Sequence, residues 1–494
     1  MLATGTGESH RRTVALGFLL LALVALIPIA SVGLPPILDY PNHLARMHIL
    51  AALPDTADLA RYYRTAWAPI PDLAFDAIVP LLAHAVPVEI AMRLVLAATL
   101  LGVAGGCVAL HRAAFARWSP WPLFSFLMLY NRMLLWGFLN YLVGLALMLW
   151  ALAAWMALER RPAWQRIAVG LVFATAIYLA HLAAFGAYAL ALIGVSLAAS
   201  SGKLRSTAIA AVTLLPAAIL FMTAPTSSAG THFEYGNPLR KFDLPVSIFD
   251  NYDRIFDGAT FGIMLIATIV GLVRHRITLH ARLRWSLAAL LVAFIAMPSR
   301  LLSASGIDHR LPVAIALLFV ASADWGAISP KWRKGATATI LVLLLVRMAV
   351  VETVWLRADR EYDALRPAFA NIAPSATVAV AAPAEAVQAG GVPLLHFPTL
   401  AALDRNAFVD TIFADPRQQP LRLTDTAARL ASGHVAGDLW QAAADNSLPP
   451  LPGYDDLVIV DPPPGLDTAK LPGPVLFSAP RMMLIQLSQP VPAQ

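Results

Sequence analysis

The sequence predicts a polytopic all-α membrane domain followed by a small extracytoplasmic α/β domain. Three observations carry this expectation. The 494 residues are 59% hydrophobic and only 13% charged, about half the charge of an ordinary soluble domain, and the mean hydropathy is +0.66. Apolar runs long enough to cross a bilayer recur through residues 13–355, since about 20 apolar residues span about 30 Å of hydrocarbon. Beyond Leu356 the composition changes to charges and prolines, with no run of span length. A disordered chain, a coiled coil and an ordinary cytosolic enzyme are excluded by the composition alone. The single cysteine, Cys107, excludes an intramolecular disulfide framework.

The first run, 13–34, follows Arg11 and Arg12 and is longer than the apolar core of a signal peptide, so it reads as a retained helix. Further helices are expected near 88–110, 119–131, 137–157, 167–181, 183–199, 206–223, 258–273, 285–298, 311–325 and 336–354. That makes about eleven spans. The stretch 167–199 is too long for one span, so a break is expected at His181.

Loop charge tests the count. Arg112, Arg117, Arg160, Arg161, Arg166, Lys203, Arg205, Arg274, Arg276, Arg282, Arg284, Lys331, Arg333 and Lys334 share one side with Arg11 and Arg12. Beyond the long first loop, the other side holds only Arg132, Arg240, Lys241, Arg254, Arg300 and Arg310. The positive-inside rule then puts the N-terminus in the cytoplasm and the C-terminus outside the inner membrane. The formal charge of +6 reflects topology and gives no reason to expect nucleic acid.

Residues 1–355 are therefore expected to form the membrane domain, with a first outer loop at 35–87, and 356–494 a soluble outer domain. In the tail, Thr377-Val378-Ala379-Val380, Leu457-Val458-Ile459-Val460 and Met483-Leu484-Ile485-Gln486-Leu487 read as strands, and Asp425 to Ser432 as helix. About 140 residues suffice for a separate core.

The first outer loop is the most informative segment. It begins Pro35-Pro36-Ile37-Leu38-Asp39-Tyr40-Pro41-Asn42-His43-Leu44-Ala45-Arg46. Pro41 suits the first turn of a helix, because its missing N–H has no intrahelical partner there. The stripe Leu44, Met47, Leu50 and Ala51, with His48 in the same face, predicts an amphipathic helix lying on the membrane surface. A second amphipathic stretch covers 70–82.

One acidic residue closing the first span, two surface helices in a long first outer loop, many spans and a soluble outer tail together resemble the GT-C superfamily of integral membrane glycosyltransferases. The Asn131…Gly137-Phe138-Leu139-Asn140-Tyr141-Leu142-Val143-Gly144 stretch and His181 add to the likeness, which covers about residues 13–355. The resemblance implies a sugar donor linked to polyprenyl phosphate or diphosphate. It also implies transfer to an envelope acceptor (a glycan, lipid or protein) on the outer face, with inversion. Many members carry two acidic residues close together, whereas here Asp39 is followed by Tyr-Pro-Asn-His. One nearby carboxylate argues against a tight divalent-cation site, and use of such a cation stays open.

Inverting transfer needs a base for the acceptor hydroxyl and donors at the phosphate, where charge develops. The resemblance makes Asp39 the base; the alternative is a carboxylate that only favours the helix dipole. His43 is the second catalytic candidate, for proton transfer or phosphate contact. Asn42 is expected to orient the sugar, and Arg46 to face a phosphate. Arg132 and Arg310 are candidates for the lipid phosphate, or anchors at the interface. A histidine at membrane depth, His181, marks a cavity or a partner. No Walker A, CxxC, HExxH or GxSxG pattern occurs. Two other readings remain: a non-catalytic scaffold of envelope assembly, and a lipid or solute transporter.

Overall fold

The computed structural model describes residues 3–199, 202–224, 233–301, 304–326, 328–383 and 392–487. The chain divides into two compact units. One comprises Met1–Ala30, Pro69–Ala74 and Leu96–Thr353; the other comprises Ser31–Ala68, Phe75–Val95 and Val354–Gln494.

The first unit is a multi-pass helical membrane body. Among the described residues, seven helices of the chain are long and apolar enough to cross a bilayer. The expected count of eleven is thus not a count of such helices: Leu182–Leu197 and Leu283–Ala296 are apolar but shorter. Leu16, Leu19, Leu20 and Leu23 of the first helix are more than half exposed, as a lipid-facing surface requires. Gly102 and Gly106, spaced four apart, lie against Ala146 and Leu149, and a Cβ on Gly106 would meet Leu149 Cβ at 2.8 Å. Close helix packing explains this pair.

One expected span takes an unexpected form. Residues Trp121–Met128 are 3₁₀ helix with every side chain buried, too short to cross as a helix. The chain from Ser119 to Phe138 nevertheless runs beside helix Ile307–Ser322. Trp121 Nε1 donates to Val320 O at 2.9 Å near that helix's C-terminal end. The Trp136 ring lies 5.3 Å from His309 near its N-terminal end. Sixteen residues of α-helix measure about 24 Å, so 119–138 traverses that depth antiparallel to it. Irregular backbone is tolerated at such depth only inside protein. Here Arg347 supplies a partner: its Nη2 donates to Tyr130 O at 2.6 Å, while Nη1 pairs with Asp257 Oδ1 at 2.6 Å.

The break at His181 is present, between Ala163–Ala180 and Leu182–Leu197. Its cause is local: His181 is extended, and its Nδ1 accepts from Ala183 N at 3.0 Å, capping the second helix.

The second unit is built on a five-stranded sheet in the order Val475–Ala479, Met482–Gln486, Asp456–Val460, Thr377–Ala381, Phe408–Val409. The first three strands pair antiparallel and the last three parallel, with Asp456 opposite Val378 and Thr377 opposite Phe408. The expected strands at 377, 457 and 483 are all present. Thr377–Ala381 and Asp456–Val460 are buried throughout, which is why they read as continuous apolar runs instead of alternating ones.

The first outer loop contributes much of its chain to this unit. Tyr63–Thr65 pairs antiparallel with Leu421–Leu423. Helix Tyr40–Ala52 packs on Leu400–Arg405 and buries Tyr40, Pro41, Asn42, Leu44, Ala45, Arg46, Met47, Ile49 and Leu50. It was expected on a membrane surface; it is instead enclosed by protein on several sides, because the tail covers it. Helix Ala74–Ala83 keeps the expected one-sided exposure: Phe75, Asp76, Val79 and Pro80 are buried, while Ile78, Leu81 and Leu82 are exposed.

Candidate active site

Asp39 occupies the N-cap of helix Tyr40–Ala52, but its side chain makes no capping hydrogen bond. At that position the helix dipole still favours a carboxylate, with or without a capping bond. Asp39 Oδ1 instead lies 3.3 Å from His396 Nε2, with the two side chains 18% and 13% exposed. His396 belongs to the tail, just before the 3₁₀ turn Phe397–Thr399. Its Nδ1 lies 3.3 Å from Asn42 Nδ2.

Asn42 is fully buried. Its Oδ1 accepts from Phe413 N at 2.8 Å and its Nδ2 donates to Thr411 O at 2.8 Å. The expected role of orienting a sugar does not fit a side chain whose amide is committed to the protein on both sides.

Arg46 is also inside. Its Nε and Nη2 donate to the two oxygens of Asp76 at 2.7 and 3.0 Å, with exposures of 1% and 0%. A bidentate, buried pair of this kind does not leave the guanidinium to face a lipid phosphate. Arg46 Nη2 also lies 3.1 Å from His43 Nδ1. Because arginine only donates, His43 Nδ1 accepts and the ring proton sits on Nε2. The Phe413 ring stands edge-on to both histidines, 5.8 Å from His43 and 4.9 Å from His396. His48 is 3.3 Å from Asn406 Oδ1, and burial pushes its ring below the ordinary histidine range.

The membrane unit holds a second carboxylate–histidine pair. Asp72 has φ +72°, a region that costs a non-glycine residue strain and often marks a functional position. Its carbonyl accepts from Asn140 Nδ2 at 2.6 Å, and its Oδ1 lies 3.5 Å from His181 Nε2. The capping bond to His181 Nδ1 fixes the proton on Nε2, facing Asp72. The Tyr141 ring lies 5.2 Å from His181, and its hydroxyl donates to Arg310 O at 2.6 Å. The Arg310 guanidinium sits 4.5 Å above Phe138, only 6% of the residue being exposed. His181, Arg310 and the 137–144 stretch thus converge.

Arg132 does not join them. It pairs with Asp250 and lies over Trp136 at 5.5 Å. Its neighbour Asn131 caps Arg132–Trp136, accepting from Met133 N and Leu134 N. Among the described residues no three His, Cys, Asp or Glu side chains come together as a metal site.

Sequence reasoning missed His396, Asp72 and Asp76 as members of these clusters. His396 is a single histidine in Leu394-Leu395-His396-Phe397 with no spacing pattern. Asp72 had one available signal, its place in Pro71-Asp72 at the head of the second surface stretch.

The fold was compared with solved structures. The crystal structure of ArnT from Cupriavidus metallidurans bound to undecaprenyl phosphate matches with a TM-score of 0.58 at 13% identity, covering 97% of this chain and 98% of that one. This is the fold of ArnT. The apo structure of ArnT, a GT-C glycosyltransferase, matches at a TM-score of 0.53 and 14% identity, again over 97% and 98% of the chains. No family model and no curated protein matches the sequence. The ArnT likeness thus lies in the architecture.

Proposed function

We propose that this chain is an inner-membrane glycosyltransferase that moves a sugar from polyprenyl phosphate to an envelope acceptor on the extracytoplasmic face. The observation that carries the reading is the ArnT fold over nearly the whole chain, in a protein crystallised with undecaprenyl phosphate. The loop charges support a cytoplasmic N-terminus in this reading.

In the proposed reaction the acceptor oxygen attacks the anomeric carbon from the face opposite the phosphate, inverting it. Asp39 takes the acceptor proton. The bond from carbon to phosphate oxygen breaks, and the phosphate leaves with the electron pair. His43, holding its proton on Nε2, is suited to donate toward the phosphate rather than to act as base. Arg310 and His181 are assigned to the lipid phosphate. Arg46 supports His43 from inside. Arg132, paired with Asp250, has the weakest claim to a substrate contact.

The test uses purified wild type and Asp39→Asn with a set of polyprenyl-phosphate-linked sugars, envelope extract serving as acceptor. Release of polyprenyl phosphate by wild type, and its collapse in the variant, is the expected result. No release by wild type would remove the transferase reading. Equal release by both would remove Asp39 from the reaction.

A further inference from the structure

We infer that His396 is a positioning residue for Asp39, locked in one tautomer by Asn42. The inference rests on the transferase reading and adds a contribution from the C-terminal tail.

The argument begins at the backbone. Phe413 N–H can only donate and Thr411 C=O can only accept, so the two fix which end of the Asn42 amide is oxygen and which is nitrogen. Asn42 Nδ2 has two hydrogens. One goes to Thr411 O at 2.8 Å, and the other faces His396 Nδ1 at 3.3 Å. His396 Nδ1 must therefore accept, which places the neutral ring's proton on Nε2. Nε2 lies 3.3 Å from Asp39 Oδ1. The ring thus turns its N–H edge toward the carboxylate at that distance and limits the orientations open to it.

The same geometry excludes His396 as the base. One ring nitrogen is occupied by Asn42 and the other by Asp39, so no lone pair remains for an acceptor proton. Asn42, His396 and Asp39 form a relay of orientation, anchored on two backbone groups and ending at a carboxylate. The other oxygen, Oδ2, is the one assigned to the acceptor proton. Groups that orient a metal ligand from behind commonly change affinity or activity about 10–100-fold when removed, and a loss of that order is expected for this relay.

The experiment measures kcat and the donor KM for wild type, Asp39→Asn, His396→Ala, His396→Gln and the double variant Asp39→Asn/His396→Ala. It uses whichever polyprenyl-phosphate sugar the wild type turns over, and thermal unfolding confirms that each variant is folded. His396→Ala should lower kcat about 10–100-fold with the donor KM within about twofold. Glutamine can donate through Nε2 and accept through Oε1, so His396→Gln should recover most of the loss. The double variant should match Asp39→Asn alone, because residues that act as a unit are non-additive. A folded His396→Ala with wild-type kcat overturns the inference while leaving the transferase reading intact. A loss in His396→Ala that glutamine does not recover, or one that adds fully to Asp39→Asn, also overturns it. Silence from the wild type removes the transferase reading and the inference together.

Discussion

Arg46 and Asp76 form a doubly hydrogen-bonded ion pair at 2.7 and 3.0 Å, with essentially no exposure to solvent. The pair joins helix Tyr40–Ala52 to helix Ala74–Ala83 and holds the His43 ring. Breaking a buried pair from one side leaves an uncompensated charge and costs about 3–5 kcal/mol, whereas replacing both partners with apolar groups is often near neutral. Arg46→Met and Asp76→Leu should each lower the unfolding temperature in detergent, and the double variant should lie above both singles. Equal or deeper destabilisation in the double would show that the pair itself stabilises the fold.

His181 should separate stability from activity. Its Nδ1 caps Leu182–Leu197 and its Nε2 faces Asp72. His181→Ala removes both contacts, and loss of a cap costs about 1 kcal/mol. Asparagine is a strong N-cap but is shorter. His181→Asn should therefore regain the stability lost in the alanine variant without regaining transfer. Recovery of both would mean that the contact with Asp72 is dispensable.

Arg310 tests the phosphate assignment. Lysine keeps the charge but loses the planar fork that stacks on Phe138 and that could take two phosphate oxygens at once. Arg310→Lys should raise the donor KM about tenfold, equivalent to about 1.4 kcal/mol, and weaken competition by undecaprenyl phosphate in parallel. A variant whose KM and competition stay at wild-type values would place the phosphate elsewhere.

Asp456 gives the tail a pH dependence of unusual sign. Burial, reinforced by the neighbouring Asp455, pushes its carboxyl up to about 6. The unfolded chain ionises near 4. Between these values the folded state binds more protons, so the contribution of this group to stability falls as pH rises. Below about pH 4 both states are protonated and the penalty is absent. Asp456→Asn should accordingly match wild type near pH 4 and gain on it up to about pH 6, reaching a plateau beyond. Unfolding curves of the full chain at several pH values provide the measurement, and a difference independent of pH would contradict the assignment.

Sidedness follows from the proposed topology. Cys107 is buried and should not react with maleimide in the folded protein. With Cys107 replaced by alanine, Ser432→Cys should label from outside intact spheroplasts, and Arg160→Cys only after permeabilisation. Both positions are exposed. The reverse pattern would invert the orientation.

The membrane helices were legible because lipid imposes one long apolar period and loop charge follows one rule. The buried strands were legible for a similar reason: Thr377–Ala381 and Asp456–Val460 are covered on both faces and so are apolar throughout. What the sequence did not show was which partner covers an amphipathic face. The stripe of Tyr40–Ala52 fits lipid as well as protein, and only the fold reveals Leu400–Arg405 against it. Asn42 and Arg46 were recognisable as polar groups near Asp39, yet their commitment to Thr411, Phe413 and Asp76 depends on chain segments distant in sequence. For the same reason His396 carried no signal. Residues 119–131 read as an ordinary span because their apolar content matches one; Trp121–Met128 is instead 3₁₀ helix, and the Tyr130 carbonyl just beyond it is met by Arg347.

The pairing of Tyr63–Thr65 with Leu421–Leu423, and of Asn42 with Thr411 and Phe413, sets an order on biogenesis. The ribosome delivers the first loop early, but its binding partners emerge only near the end of translation. Until then Asn42 has neither backbone partner, and Asp39 stands without His396. A nascent or prematurely terminated chain therefore lacks the partners of the Asn42 amide, and leaves an unsatisfied polar group for quality-control proteases to find. The earliest outer segment reaches its final hydrogen bonding only when synthesis is nearly complete.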